Sequence, residues 1–160
     1  MHKLLPKLYI FIEDFIPLEL NLLNKNISII FRNYNKLIND DVIVALKAYC
    51  KYHKRDLYLA NDIKKAVKHK LSGVYIPSFN KKLNLHAFSL PKDFKLLGSA
   101  HNQSEINVKE AQGCSLIFLA PVFKVSKKSN FFGVTKYNLL TLNQKSMFIA
   151  LGGINEFTIK

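Results

Sequence analysis

The chain has 160 residues, 49% of them hydrophobic, with 24 basic against 11 acidic side chains and a net charge of +13. That length supports one substantial core rather than two comfortable domains, and the charge favours anionic partners such as nucleic acid, acidic membrane surfaces or phosphorylated metabolites. Only Arg32 and Arg55 are arginines and the lysines are scattered, so base-edge readout and bidentate phosphate clamping find little support and nucleic acid is disfavoured.

In chain order, the first β-rich run is KLYIFIE at 7–13, followed by ISIIFR at 27–32. DDVIVALKAYCKYHK at 40–54 places Val42, Ala45, Leu46, Tyr49 and Cys50 at helical spacing and ends in basic residues, which suit a helix C-terminus. DLYLAN (56–61) reads as a strand, DIKKAVKHKL (62–71) as a helix stopped near Gly73, and GVYIP (73–77) as the next strand. FKLLGSA (94–100), SLIFLAPVF (115–123) and MFIALGG (147–153) complete seven strands, with SEINVKEAQGC (104–114) as a helix that Ser104 would cap and Gly113 would end.

Most of these strands are continuous apolar runs, the pattern of a parallel sheet buried on both faces. Strand–helix alternation leaves an open doubly wound sheet or a (β/α) barrel. No G-x-G-x-x-G follows the first strand, which counts modestly against a dinucleotide-binding sheet. Cys50 and Cys114 stand in no metal-ligand or disulfide spacing. The run LYIFI is too short for a signal-peptide core and no segment approaches the ~20 apolar residues of a membrane span, so a cytoplasmic protein with no membrane partner is expected.

In both folds the functional edge holds the C-terminal ends of the strands. Those ends carry Arg32, then Asn61 and Asp62, then Pro77 to Asn80, then Ser99 and His101, a loop from Lys124 with four lysines, and Gly152–Gly153. Paired glycines before a helix can bring bare N–H groups to a phosphate. Arginine neutralises phosphate oxygens, an aspartate can hold Mg²⁺ together with substrate phosphates, and His101 can move a proton near neutrality. Each also has a plain reading: Asp62 as a helix cap, His101 as a surface histidine, Gly-Gly as a turn, the lysines as solvated charge.

The ordered motifs resemble those of the thiamine phosphate synthase and thiazole tautomerase superfamily of (β/α)8 barrels. IIFR is similar to Q-L/F-R-x-K, LYLAND to I-I-N-D, GVYIPSFN to G-V-H-L-G-Q-x-D and LLGSAHN to I-G-x-S-x-H. APVFKVSKKSNFFG is similar to G-P-V-F-x-T-x-T-K with a following glycine, and IALGGI to A-I-G-G-I. The resemblance implies a single (β/α) TIM-barrel-type domain over residues 1–160, with the eighth strand missing at the C-terminus. It also implies coupling of hydroxymethylpyrimidine diphosphate to thiazole phosphate with release of pyrophosphate, in thiamine biosynthesis. Carried over, Arg32, Ser99 and Lys128 would face the diphosphate, Asn61 would contact the pyrimidine or the phosphate, Asp62 and Asn80 would hold Mg²⁺, Gly152 and Gly153 would hold the thiazole phosphate, and His101 would serve as acid or base.

The departures are Tyr34 for the motif lysine, Ile30 for the glutamine, Asn80 for the second carboxylate, and Val125 and Lys127 for the loop threonines. These keep two alternatives open. One is a degenerate binder of a phosphorylated ligand. The other is a metal-free tautomerase, against which Ala120–Pro121 stands where that branch carries a second histidine. Self-association is compatible with either.

Overall fold

Strands β3 (Leu57–Ala60), β4 (Gly73–Ile76) and β6 (Leu116–Leu119) are buried at every position. Such strands have no solvent face and belong inside a sheet covered on both sides. In the computed structural model, which describes residues 8–35, 37–83, 89–125, 130–155 and 157–158, four more strands join them: β1 (Leu8–Ile12), β2 (Ile27–Phe31), β5 (Lys95–Ala100) and β7 (Met147–Ala150). Their hydrogen-bonded order is the order of the sequence. The pairs β1–β2, β2–β3, β3–β4, β5–β6 and β6–β7 are all parallel. A doubly wound sheet reverses its order at a switch point, whereas a (β/α) barrel adds each strand beside the last. The topology is therefore of the TIM-barrel type, with seven strands among the described residues.

The chain divides into two compact units, residues 1–75 with 90–95 and residues 76–89 with 96–160. The first unit adds helices α1 (Pro17–Asn21), α2 (Asp40–Tyr52) and α3 (Ile63–Lys68) to strands β1 to β3 and most of β4. Its core is built on Ile29, Ile30, Ile43, Leu46, Tyr58, Leu59 and Val74. Arg55, only 7% exposed, reaches back and donates to the carbonyls of Leu20, Leu23, Asn24 and Ile27, tying the end of α1 to the start of β2. The second unit carries most of β5, together with β6, β7, α4 (Gln103–Ala111) and α5 (Gly133–Thr141), around Leu97, Ile106, Ile117, Phe118 and Leu119.

Three helices stop in the same way. After α2, α3 and α4, residues Lys54, Lys70 and Gly113 take left-handed φ of 54°, 49° and 82°. In each case the residue's N–H and that of its successor return to carbonyls of the last turn, as in Lys54 to Lys51 and Arg55 to Cys50. This Schellman arrangement satisfies the orphan carbonyls and turns the chain into the next strand.

Several expectations are corrected. The helix expected over 40–54 ends at Tyr52, and it buries Ile43 with Leu46 and Cys50 while Val42 is 36% exposed. The helix expected over 62–71 ends at Lys68. Gly73 does not stop it but opens β4, where a Cβ would fall 2.0 Å from the Lys95 carbonyl oxygen. Asn102, not Ser104, caps α4, accepting the Glu105 N–H at 2.9 Å. The strand expected over 115–123 ends at Leu119; α5 begins at Gly133, where the loop expected from Lys124 was to end. Short α1 and α5, which has no fully buried residue, had no apolar periodicity to reveal them.

Candidate functional site at the strand ends

In the first unit, β2 and β3 pair with Phe31 opposite Leu59. Arg32 and Asn61 therefore leave neighbouring strands, which lie about 4.8 Å apart in a sheet. The Arg32 N–H donates to the Ile12 carbonyl at 2.8 Å, which holds its backbone to β1. Its guanidinium lies over the Phe11 ring at 4.8 Å and the Tyr34 ring at 5.9 Å. Phe11 is in turn set edge-on against Tyr75, with centroids 5.2 Å apart. Aromatic faces attract a cation and restrict its rotamers, so Tyr34 supports Arg32 where the motif would have placed a second cation.

Asn61 has φ of 60° and donates its N–H to the Tyr75 carbonyl at 2.8 Å. Left-handed backbone is tolerated by asparagine better than by most residues. Asp62 then caps α3, with Oδ1 accepting the Lys65 N–H at 2.9 Å. The plain reading of Asp62 as a cap is thus correct, and it consumes only one of the roughly four lone-pair positions of a carboxylate. A larger cavity of this unit, about 470 Å³, is lined by Glu13, Phe15, Phe31, Asn33 and α2 residues, and none of Arg32, Asn61 or Asp62 lines it.

In the second unit, His101 follows β5. Its Nδ1 lies 3.0 Å from Glu105 Oε2, which also accepts the His101 N–H at 2.7 Å. With Nδ1 engaged, Nε2 is the nitrogen left for proton transfer. His101 lines a cavity of about 270 Å³ with Pro121, Asn130, Phe131, Phe132 and Lys136. Asn130, Phe131 and Phe132 lie within the APVFKVSKKSNFFG motif and Lys136 among the loop lysines, but the sequence gave none of them a role of its own. Ser99 sits within β5 rather than beyond it and is 6% exposed.

Gly152 and Gly153 have φ of 88° and 70°. A Cβ on Gly152 would meet Pro121 Cβ at 2.9 Å, and one on Gly153 would meet the Phe123 carbonyl and Lys124 oxygen at 2.7 Å. The pair lets β7's end pack backbone to backbone against 121–124, reinforced by the Phe123 N–H on the Gly152 carbonyl at 3.0 Å. No helix follows them among the described residues. Lys128 lies outside the described residues.

Asn80, in the loop after β4, accepts the Lys82 N–H on Oδ1 at 3.1 Å. Its backbone carbonyl accepts from Lys109 Nζ at 2.7 Å and Gln112 Nε2 at 2.9 Å. Among the described residues no group of three or more His, Cys, Asp or Glu could hold a metal ion. In the first unit, Asp62 alone would suit Mg²⁺ only when substrate phosphates supply further oxygens, which is that ion's common mode of binding.

Sequential parallel strands with polar groups gathered after their C-terminal ends define a (β/α)-barrel-type protein. No family model matches the chain. It is 34% identical over 68 residues to the thiamine-phosphate synthase of Prochlorococcus marinus, a stretch that is 41% of this chain and 20% of that protein. The chain thus spans about a fifth of the curated relative it matches. Among solved structures it is similar to a thiamine phosphate pyrophosphorylase from Pyrococcus furiosus, with a TM-score of 0.64 and 14% identity over 94% of this chain and 76% of that one. It is equally similar in fold to the citrate synthase SbnG, at a TM-score of 0.64, 12% identity and coverage of 94% and 80%. The fold is common to both, and the local sequence likeness is to a thiamine-phosphate synthase.

Proposed function

We propose that the chain is a thiamine phosphate synthase-type transferase that couples hydroxymethylpyrimidine diphosphate to thiazole phosphate. The observation that carries this reading is Arg32, seated on Phe11 and Tyr34 at one strand end, beside a neighbouring strand end that presents Asn61 in left-handed backbone and then Asp62. In the reaction the C–O bond between the pyrimidine methylene and the diphosphate breaks, and pyrophosphate leaves with the electron pair. The thiazole nitrogen then forms the new C–N bond to the methylene.

Arg32 binds the departing diphosphate through charge-assisted hydrogen bonds that strengthen as negative charge grows on the leaving group. Asp62 would hold Mg²⁺ with diphosphate oxygens, and that ion when bound would neutralise leaving-group charge. Asn61 contributes an amide to the pyrimidine or the diphosphate. In the second unit, His101, oriented by Glu105, is the candidate acid or base.

A second reading, a binder of the same ligands without turnover, is favoured by Asn80, which is neutral and turned onto Lys82, and by Tyr34 in place of a cation. Calorimetric titration with inorganic pyrophosphate, with and without Mg²⁺, tests what both readings share. Binding that needs Mg²⁺ and is weakened at least about tenfold by Asp62→Ala and by Arg32→Met supports the site. Absence of binding, or binding indifferent to both substitutions, rejects it.

A further inference from the structure

The cavity of about 470 Å³ in the first unit lies where the ends of β1 and β2 meet the start of α2, and the proposed transferase makes no use of it. Its size is that of a small-molecule site, where apolar walls and a few polar groups are the rule. Phe15, Phe31, Ile38, Val42 and Ala45 supply the wall, and Glu13, Asp14 and Asp41 supply carboxylates. The chain carries 24 basic side chains against 11 acidic ones. Among the described residues, however, no lysine, arginine or histidine lines this cavity. A local sign opposite to that of the whole chain favours a cation and repels phosphorylated compounds.

The walls are held by bonds of their own. Asn33 Nδ2 donates to the Glu13 carbonyl at 2.9 Å, tying the end of β2 to the end of β1, and Asn33 Oδ1 accepts the Asn35 N–H at 3.0 Å. Lys65 Nζ donates to the Ile38 carbonyl at 2.6 Å. Asn39 caps α2, its Oδ1 accepting the Asp41 N–H at 3.2 Å while its Nδ2 lies 3.4 Å from Asp41 Oδ2. That long contact takes at most one of the roughly four lone-pair positions of the Asp41 carboxylate. Phe15 is set edge-on against Tyr49, with centroids 5.6 Å apart, and Phe31 is buried.

What the cavity offers a ligand is therefore carboxylate oxygen and aromatic ring. Both attract a cation, the first through charge-assisted hydrogen bonds and the second through the ring quadrupole. Leu37 lines the same cavity and is 99% exposed, apolar surface that the body of such a ligand would cover.

We propose that this cavity binds a small organic ammonium ion, an apolar body carrying one positively charged nitrogen, with Glu13 and Asp41 taking the charge and Phe15 and Phe31 the body. The site shares no residue with the diphosphate reading and stands whether or not that reading holds.

The test titrates the ¹⁵N-labelled protein with 2-phenylethylamine, 2-phenylethanol and phenylacetate at neutral pH and low salt, followed by amide chemical shifts. The amine is expected to give saturable shifts at residues 13–15 and 37–45. The neutral alcohol should bind more weakly, and phenylacetate should give no saturable shifts there. Exposed ion pairs are individually weak, so Glu13→Gln and Asp41→Asn should each weaken the amine about two- to fivefold, and together about tenfold, while leaving the alcohol unchanged. Ala45→Phe fills the cavity with the carboxylates still present and should abolish the amine's shifts; if it does not fold, Val42→Phe takes its place. An amine that gives no saturable shifts, or shifts that survive the filled cavity, overturns the site. An alcohol that binds as tightly as the amine, or an amine indifferent to both carboxylate substitutions, overturns the preference for a cation.

Discussion

Gly153 and Gly133 allow the close packing behind β7 to be measured against an internal control. Both have left-handed backbone, with φ of 70° and 68°. A Cβ on Gly133 meets nothing within 4 Å, whereas one on Gly153 meets three backbone atoms of Phe123 and Lys124 at 2.7 Å. Gly133→Ala should therefore cost only the left-handed penalty of an L-residue, about 1 kcal/mol. Gly153→Ala carries the same penalty plus the strain of crowding a backbone that is itself tied down, about 1–3 kcal/mol more, for a total of about 2–4 kcal/mol. Urea unfolding with linear extrapolation reads both values in one series. Equal losses in the two variants would refute the reasoning, because they would mean that segment 121–124 yields at no cost and that Gly153 is not needed for close approach.

Three further outcomes are expected. Arg55→Met removes the guanidinium from four carbonyls and should lower stability by about 3 kcal/mol in the same urea series; a loss under about 1 kcal/mol would show that water replaces the clamp. The Asp40 carboxyl is held well below the usual carboxylate range by Lys68, then Lys65 and His69, so its contribution is present above about pH 4 and is lost as pH falls further. Thermal melts of wild type and Asp40→Asn should accordingly differ near neutrality and converge in acid, and a gap that does not narrow would contradict the pairing. Burial pushes the Cys50 and Cys114 thiols up to about 12, so neither should react with iodoacetamide in the folded protein at pH 8 while both react once it is unfolded; rapid alkylation of folded protein would count against the buried placement.

The strands were legible because continuous apolar runs leave a strand buried on both faces as their simplest reading, and β3, β4 and β6 are buried at every residue. Helix existence was legible where periodicity was strong, as in α2, but Ile43 rather than Val42 is buried there beside the expected Leu46 and Cys50. Helix ends were less so: Lys54 and Lys70 occupy left-handed positions where glycine would have signalled the stop. Strand-end polar residues could be named from the sequence, since their location follows from topology. The support beneath them could not. The seating of Arg32 on Phe11 and the closeness of Lys109 to Gly98 join residues through tertiary packing, which no local pattern records.

The most direct test of the proposed transferase is formation of thiamine phosphate by the folded protein supplied with hydroxymethylpyrimidine diphosphate, thiazole phosphate and Mg²⁺, followed by chromatography. Product that disappears in Asp62→Ala is the predicted result. No product from wild type that still binds pyrophosphate in a Mg²⁺-dependent way would contradict the transferase and leave a binder of the same ligands.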